Sequence, residues 1–440
     1  MNRTNKFDVL VLIMVVLTVL VAPTQMALSL KAGPAHTVSD IGLSLADALL
    51  ALTALVWGIG VLARGQLRQL RWPPAAAWVF LLLCVPSLFW TGSAPRGAAK
   101  LAQYIEYFFV AYLVFINTMI TRRARIAVLV ALLAGLVVNT GLAYRTYYMI
   151  PVDKGFTLSN VAGLLKDRSL FGAYLCLLVP IAGALALFAR QIWVKVLGAI
   201  LVLASAGVML AGGPFIGLIV GLGVLVAMWN FRALPVYLGL VLVAVLAAMP
   251  MMRHDNRQIL AESLFMFNEQ GKDEGHGVSR RYLEWQAALK SLDPMQPPYA
   301  ARWDYPRKVV FGHGIGLYEK EIELCWGSLP RANEMNETVL ESDTQNQYVV
   351  LAITTGFASV LAFVWLLACY AHRARLTLID SAEPLDKAIA AGVICAVIAI
   401  AVAGNFGLFV VRGVGLVLVC LAALAAAQRS ATDREVSHEK

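Results

Sequence analysis

The sequence predicts an all-α polytopic membrane protein of about twelve transmembrane helices with one large, partly helical periplasmic or extracellular loop. Three observations lead there. Of 440 residues, 60% are hydrophobic and 14% charged, with a mean hydropathy of +0.72, whereas soluble domains have an apolar share nearer one half. Apolar runs of about 18–25 residues recur, each long enough as a helix to cross a hydrocarbon core of about 30 Å. One long polar stretch, from about Met251 to Asp343, interrupts them.

Arg3 and Lys6 precede an apolar run from Val9 to about Ala22 without a small-residue cleavage site before Pro23. The N-terminus therefore reads as a retained first span. The expected spans are roughly 8–29, 41–63, 74–90, 101–120, 125–143, 169–189, 192–211, 214–230, 233–250, 345–370, 386–404 and 407–427. An even number puts both termini on one side. Arg64, Arg68 and Arg71, then Arg122, Arg123 and Arg125, then Arg190, Lys195, Arg232, Arg373, Arg375 and Lys387 all fall in alternate loops on that side. The positive-inside rule makes it cytoplasmic. The organisation is then spans one to nine in 1–250, an outward loop in 251–343, spans ten to twelve in 344–428, and a cytoplasmic tail in 429–440.

The net charge of +9 lies mostly in short inward loops, so it orients the chain and does not point to nucleic acid. Cys84, Cys176, Cys325, Cys369, Cys395 and Cys420 contain no CxxC spacing, and five of the six sit in apolar runs. Neither a disulfide framework nor a zinc site is indicated. Asp47 and Glu106 are the carboxylates placed deepest in the spans, where an ionisable group usually faces a partner or a polar cavity. For Glu106, Lys100 and Arg96 are near enough in sequence to form an interfacial pair.

Outward loops normally lack basic residues, yet the segment from Tyr144 to Arg168 carries Arg145, Lys154, Lys166 and Arg168 beside Asp167. An anionic ligand at the outer face accounts for such cations. Pairing with loop carboxylates such as Glu319, Glu321 and Glu323 is the structural alternative.

Three signals follow one another in the large loop. Ser279 can cap a helix starting at Arg280, placing Tyr282, Trp285 and Leu289 on one face directed at the spans. Arg281 then projects from the first turn, where a guanidinium offers bidentate donors to a phosphate and the helix N-terminus reinforces anion binding. Next, Gly312, Gly314 and Gly316 alternate, permitting positive φ or close backbone approach, but without the βαβ context of a dinucleotide site. His313 between them is a general base or ligand donor on one reading and a solvated loop residue on the other. Finally, Ser342 and Gln345 have capping-box spacing at the start of span ten. That places Gln345, Asn346 and a helix N-terminus at the outer membrane surface.

These residues resemble the O-antigen ligase and O-antigen polymerase superfamily of membrane glycosyltransferases. The pattern there is an outward loop opening with an Arg-containing segment that ends in Trp, then a Gly-x-Gly, then a His-Asn-x-Tyr-Leu helix start followed by Glu-x-Gly. Here these are Arg281-Tyr282-Leu283-Glu284-Trp285, Gly312-His313-Gly314, and Gln345-Asn346-Gln347-Tyr348-Val349 followed by Thr354-Thr355-Gly356-Phe357. Asp167-Arg168-Ser169-Leu170-Phe171 resembles a further family segment, and the likeness spans roughly residues 70–425. Two departures stand out: Gln345 occupies the family's histidine position, and Gly212-Gly213-Pro214 replaces a frequent Ser-Arg.

The resemblance implies transfer of a glycan from an undecaprenyl-diphosphate carrier to a hydroxyl acceptor, either a lipid A-core sugar or the end of a growing polysaccharide, at the periplasmic face of the bacterial inner membrane. The donor brings its own leaving group, so no cofactor or metal is required; the protein must hold the diphosphate and position the acceptor. By the same resemblance Arg281 holds the diphosphate, with Arg280, Arg168, Arg302 and Arg307 as further cations. Gln345 and Asn346 orient by neutral hydrogen bonds, Tyr348, Gly312 and Gly314 line the substrate, and His313 is the titratable group left to handle a proton. A ligase and a polymerase use the same machinery. A carrier or flippase for an anionic lipid or solute is the rival class, and it calls for polar residues in mid-span, whereas here they gather at the outer boundary.

Overall fold

The computed structural model describes residues 6–24, 27–28, 43–91, 94–149, 161–165, 167–209, 214–248, 278–291, 305–316, 318, 346–411 and 413–438. The chain is an all-α polytopic membrane protein. Its helices are α1 (Lys6–Val21), α2 (Leu45–Ala63), α3 (Ala75–Cys84), α4 (Ala94–Ile105), α5 (Tyr112–Thr118), α6 (Arg122–Met149), α7 (Arg168–Phe188), α8 (Ile192–Met209), α9 (Pro214–Asn230) and α10 (Leu234–Ala248). They continue with α11 (Val278–Ser291), α12 (Tyr305–Phe311), α13 (Gln347–Thr355), α14 (Phe357–Asp380), α15 (Pro384–Ala403) and α16 (Val414–His438). Among the described residues the extended structure is one two-rung antiparallel ladder, Ala27 opposite Ser44 and Leu28 opposite Leu43.

Nine helical segments of the described residues are long and apolar enough to cross a membrane, and Ala75–Trp90 and Val414–Ala427 are shorter apolar helices. One of the nine, Pro214–Ala247, is 34 residues long and contains two of the expected spans. Asn230 breaks it with an extended backbone, its side chain accepting the Arg232 amide. Tyr237 then donates to the Ile219 carbonyl at 2.9 Å. Residues that far apart in one straight helix stand about 27 Å from each other at 1.5 Å per residue, so α9 and α10 form a hairpin.

The core is centred on α7, 89% of whose apolar window is buried. Small residues let its neighbours approach closely, as is usual between helices in lipid. A Cβ on Gly198 of α8 would stand 2.5 Å from the Ala182 carbonyl oxygen, and one on Gly392 of α15 would stand 2.9 Å from the Ile181 Cα.

Several expected boundaries move: span four begins at Ala94, α6 runs on to Met149 and α16 begins at Val414. Span one ends at Thr24, and α2 begins at Leu45. There Ser44 and Asp47 form a reciprocal capping box, and Tyr107 donates to Asp47 at 3.1 Å, which accounts for that buried carboxylate as a capping group. The expected continuous span 345–370 is interrupted at Gly356, whose φ of +85° ends α13 before α14 begins. Between α4 and α5, Glu106–Ala111 forms a π-helical turn.

Loops expected on one side of the membrane meet at one end of the bundle. Arg64 pairs with Asp8 at 2.7 Å, Arg122 with Glu383 at 3.6 Å and Arg125 with Asp386 at 3.5 Å. The alternate loops meet at the other end, where Thr91 donates to the Ile315 carbonyl and Gly407 lies against Ser169.

Candidate functional site

At this second end α13 is held on three sides. Its N-cap is Asn346, not Ser342: the Asn346 side chain accepts the amides of Tyr348 at 3.0 Å and Val349 at 3.1 Å. The Gln347 amide donates to the Gly404 carbonyl at 2.8 Å, and the Val350 amide to the Asn346 carbonyl. The amides of Gln347, Tyr348 and Val349, which have no partner within the helix, are thus satisfied by the protein and are not offered to an anion. The Gln347 side-chain oxygen accepts the amides of Phe409 at 3.2 Å and Val410 at 3.0 Å, pinning the turn that leads into α16. Tyr348 donates to the Ala401 carbonyl at 2.6 Å, so its hydroxyl serves packing against α15.

The glycine turn after α12 packs against the other end of α13. Gly312, Gly314 and Gly316 have φ of +73°, +129° and +86°, the left-handed conformations expected of them. The His313 amide donates to the Ile353 carbonyl at 2.7 Å and the Gly314 amide to the Thr354 carbonyl at 3.2 Å. A Cβ on Gly312 would stand 2.5 Å from the Thr354 carbonyl carbon, and one on Gly314 would stand 2.8 Å from the Thr91 Cα. Glycine is needed here because backbone lies against backbone.

His313 is 6% exposed, not solvated. Its Nε2 lies 3.1 Å from the Ser291 carbonyl oxygen at the end of α11. A carbonyl only accepts, so Nε2 carries the proton and the basic nitrogen of the neutral ring is Nδ1. The ring therefore joins α11 to the glycine turn.

Cationic groups flank this core. Arg307 lies over the Trp90 ring at 4.7 Å from its centroid, and Trp90 stacks on Phe311 at 6.0 Å. Lys308 beside it is buried. Arg168 opens α7, where the Asp167 side chain caps the Ser169 amide at 3.1 Å. The preceding segment is held by Asn139 of α6, whose side-chain oxygen accepts the Leu164 amide at 3.0 Å. A Cβ on Gly407 would stand 3.3 Å from the Ser169 Cβ, so α7 begins close to the turn that Gln347 holds through Phe409 and Val410. Ser169, next to Arg168, and Gln347, next to Asn346, thus border one turn, while Arg307 and His313 lie on the α12 side of α13.

Gln345 and Arg302 lie outside the described residues, as do the side chains of Arg280 and Arg281, whose backbone belongs to α11. That helix starts at Val278, so Ser279 lies inside it rather than capping it. Its buried side is Ala287, Ala288 and Ser291, and Leu289 is 63% exposed. Of the expected Tyr282, Trp285 and Leu289 face, Leu289 points away from the bundle, Trp285 is half-buried, and the side chain of Tyr282 lies outside the described residues.

Gln347, Asn139 and Trp90 were not singled out from the sequence as site residues. Asn139 had a signal, a carboxamide in the middle of an apolar span. A polar residue in a first turn and a tryptophan at a span end are common in membrane proteins, so the sequence carries no signal that marks Gln347 or Trp90.

No family model matches the chain, and no curated protein matches it. Among solved structures, the chain is similar to one chain of "Structural coordination of polymerization and crosslinking by a peptidoglycan synthase complex", at 14% identity and a TM-score of 0.43, over 82% of this chain and 98% of that one.

Proposed function

We propose that the protein transfers a glycan from an undecaprenyl-diphosphate carrier to a hydroxyl acceptor, as an O-antigen ligase-like enzyme of the inner membrane with its large loop in the periplasm. The observation that carries this reading is the packing of the Gly312–Gly316 turn on α13 through His313 to Ile353 and Gly314 to Thr354. These are two of the segments on which the family resemblance rests, and they are distant in sequence yet joined at one end of the bundle. In this reading Arg281 holds the diphosphate, and Arg280, Arg168, Arg302 and Arg307 add positive charge. Gln345 orients the acceptor, Gly312 and Gly314 act by holding their turn against α13 and Thr91 in place of lining the substrate, and Asn346 and Tyr348 shape the site through the contacts of α13. The twelve-span topology counts Pro214–Ala247 as two crossings and adds Ala75–Trp90 and Val414–Ala427.

The acceptor is a lipid A-core sugar for a ligase and a glycan end for a polymerase, and neither role requires a metal or nucleotide. The test is transfer from a purified lipid-linked glycan donor in detergent, with and without chelator. Transfer that persists in chelator is expected. Loss of the protein should leave a polymeric lipid-linked glycan if it is a ligase and a single repeat unit if it is a polymerase. No change in any lipid-linked glycan would reject both.

A further inference from the structure

The opposite, arginine-rich end of the bundle contains a polar cluster unrelated to glycan transfer. Tyr112 of α5 and Tyr370 of α14 stack with centroids 5.7 Å apart and planes 7° from parallel. Arg373, one turn beyond Tyr370, donates to the Tyr112 hydroxyl at 2.5 Å. Arg71 is fixed nearby, its backbone exchanging two hydrogen bonds with the Asn117 side chain at 3.0 and 3.1 Å, and its charge acts on the same Tyr112 phenol.

Two features of this cluster point to a ligand. None of the three ion pairs among the described residues takes Arg373, whose neighbours are phenols instead of a carboxylate. The Tyr370 hydroxyl is buried with no hydrogen-bond partner among the described residues. A buried donor left unsatisfied is costly, and native structures usually supply an acceptor. An anionic group beside Arg373 would supply that acceptor.

We propose that this cluster binds the phosphate of an anionic phospholipid in the leaflet at the arginine-rich end. Arg373 and Arg71 supply charge-assisted donors, and a phosphate oxygen drawn in beside Arg373 gives the Tyr370 hydroxyl its acceptor. A lipid is favoured over free phosphate because Trp72, next to Arg71, is half-exposed and pairs with Trp78 at 6.3 Å, also partly exposed. Amphipathic rings of this kind sit at headgroup level.

The test is thermal unfolding of the detergent-purified full chain titrated with phosphatidylglycerol, phosphatidylcholine or inorganic phosphate. Phosphatidylglycerol alone should raise the unfolding midpoint. Arg373→Gln should weaken its apparent affinity by about tenfold or more, while Arg375→Gln, at an exposed position two residues on, should leave it unchanged. Tyr370→Phe removes only the unsatisfied hydroxyl. It should therefore fold without loss of midpoint in lipid-free detergent and yet show a smaller phosphatidylglycerol shift, which keeps the test decisive if Arg373→Gln misfolds. Equal shifts with phosphatidylcholine or inorganic phosphate, or a full phosphatidylglycerol shift in Tyr370→Phe, would overturn the proposal.

Discussion

The side-chain oxygen of Gln347 accepts the backbone amide of Val410 at 3.0 Å, and that of Phe409 at 3.2 Å. A first-turn residue of α13 thereby supplies the acceptor for two buried amides in the turn before α16. Gln347→Ala leaves both without one, and each such loss costs about 1–3 kcal/mol. The expected result is a lowered unfolding midpoint in detergent, with Gln347→Glu destabilising less because a carboxylate still accepts. A midpoint unchanged in Gln347→Ala would mean that the turn is held by other contacts.

Gly356 offers a second stability test. Its φ of +85° is strained for any L-residue, and a Cβ there collides with the Val310 carbonyl. Gly356→Ala should cost at least the 1–3 kcal/mol typical of a forced backbone conformation. The control is Gly141→Ala in α6, where a Cβ meets nothing within 4 Å; helix propensity there favours alanine by up to about 1 kcal/mol. The two variants should move the midpoint in opposite directions.

Arg281 carries the chemical prediction. If it clamps a diphosphate, lysine cannot reproduce the bidentate geometry, so Arg281→Lys should already lower transfer. Removing one charge-assisted contact is worth about 1.5–3 kcal/mol, or roughly ten- to a hundredfold in rate. Full transfer by a well-folded Arg281→Ala variant would exclude it from the site.

His313 and Gln345 separate proton handling from positioning. A carboxamide has no useful basicity, so His313→Ala should reduce transfer more than Gln345→Ala, and Gln345→His should be tolerated. Because His313 also joins the glycine turn to Ser291, His313→Gln is the informative companion, since it keeps a donor but not a base. Rescue by His313→Gln would assign the ring to structure alone.

Topology can be read by impermeant thiol labelling on a background without native cysteines. Cysteines at Gln270 and Lys320 should react in intact cells, and one at Arg375 should react only after lysis. Arg375 suits this better than the neighbouring Ala374, which is fully buried. Labelling of Arg375→Cys alone in intact cells would invert the orientation.

Hydropathy made most of the fold legible, because a crossing helix needs only length and apolarity, and both are local. It also separated α9 from α10 at Asn230. The interruption at Gly356 was less visible: Thr354 to Phe357 reads as part of an apolar run, and the need for glycine comes from the Val310 carbonyl on a different helix. The glycine turn was legible because alternating glycines act through their own backbone. The burial of His313 was not, since its partner is the carbonyl of Ser291. The exchange of Ser342 for Asn346 as N-cap is a similar case: both residue types cap well, and contacts with Gly404 decide where the helix starts.

The π-helical turn at Glu106–Ala111 takes up one extra residue within a membrane helix. It lies between Tyr104, which faces Phe80 in the core, and Tyr112, which faces Tyr370 and Arg373. Its wider turn advances less than the roughly 100° per residue of an α-helix, so the extra residue is absorbed locally and both flanking segments keep their faces. Removing one residue from the turn should therefore relax it to regular α-helix with both tyrosine contacts kept, whereas removing one from a regular stretch such as Arg122–Met149 rotates everything downstream by about 100°. A hydropathy profile is blind to the difference, since either deletion leaves the apolar length almost unchanged.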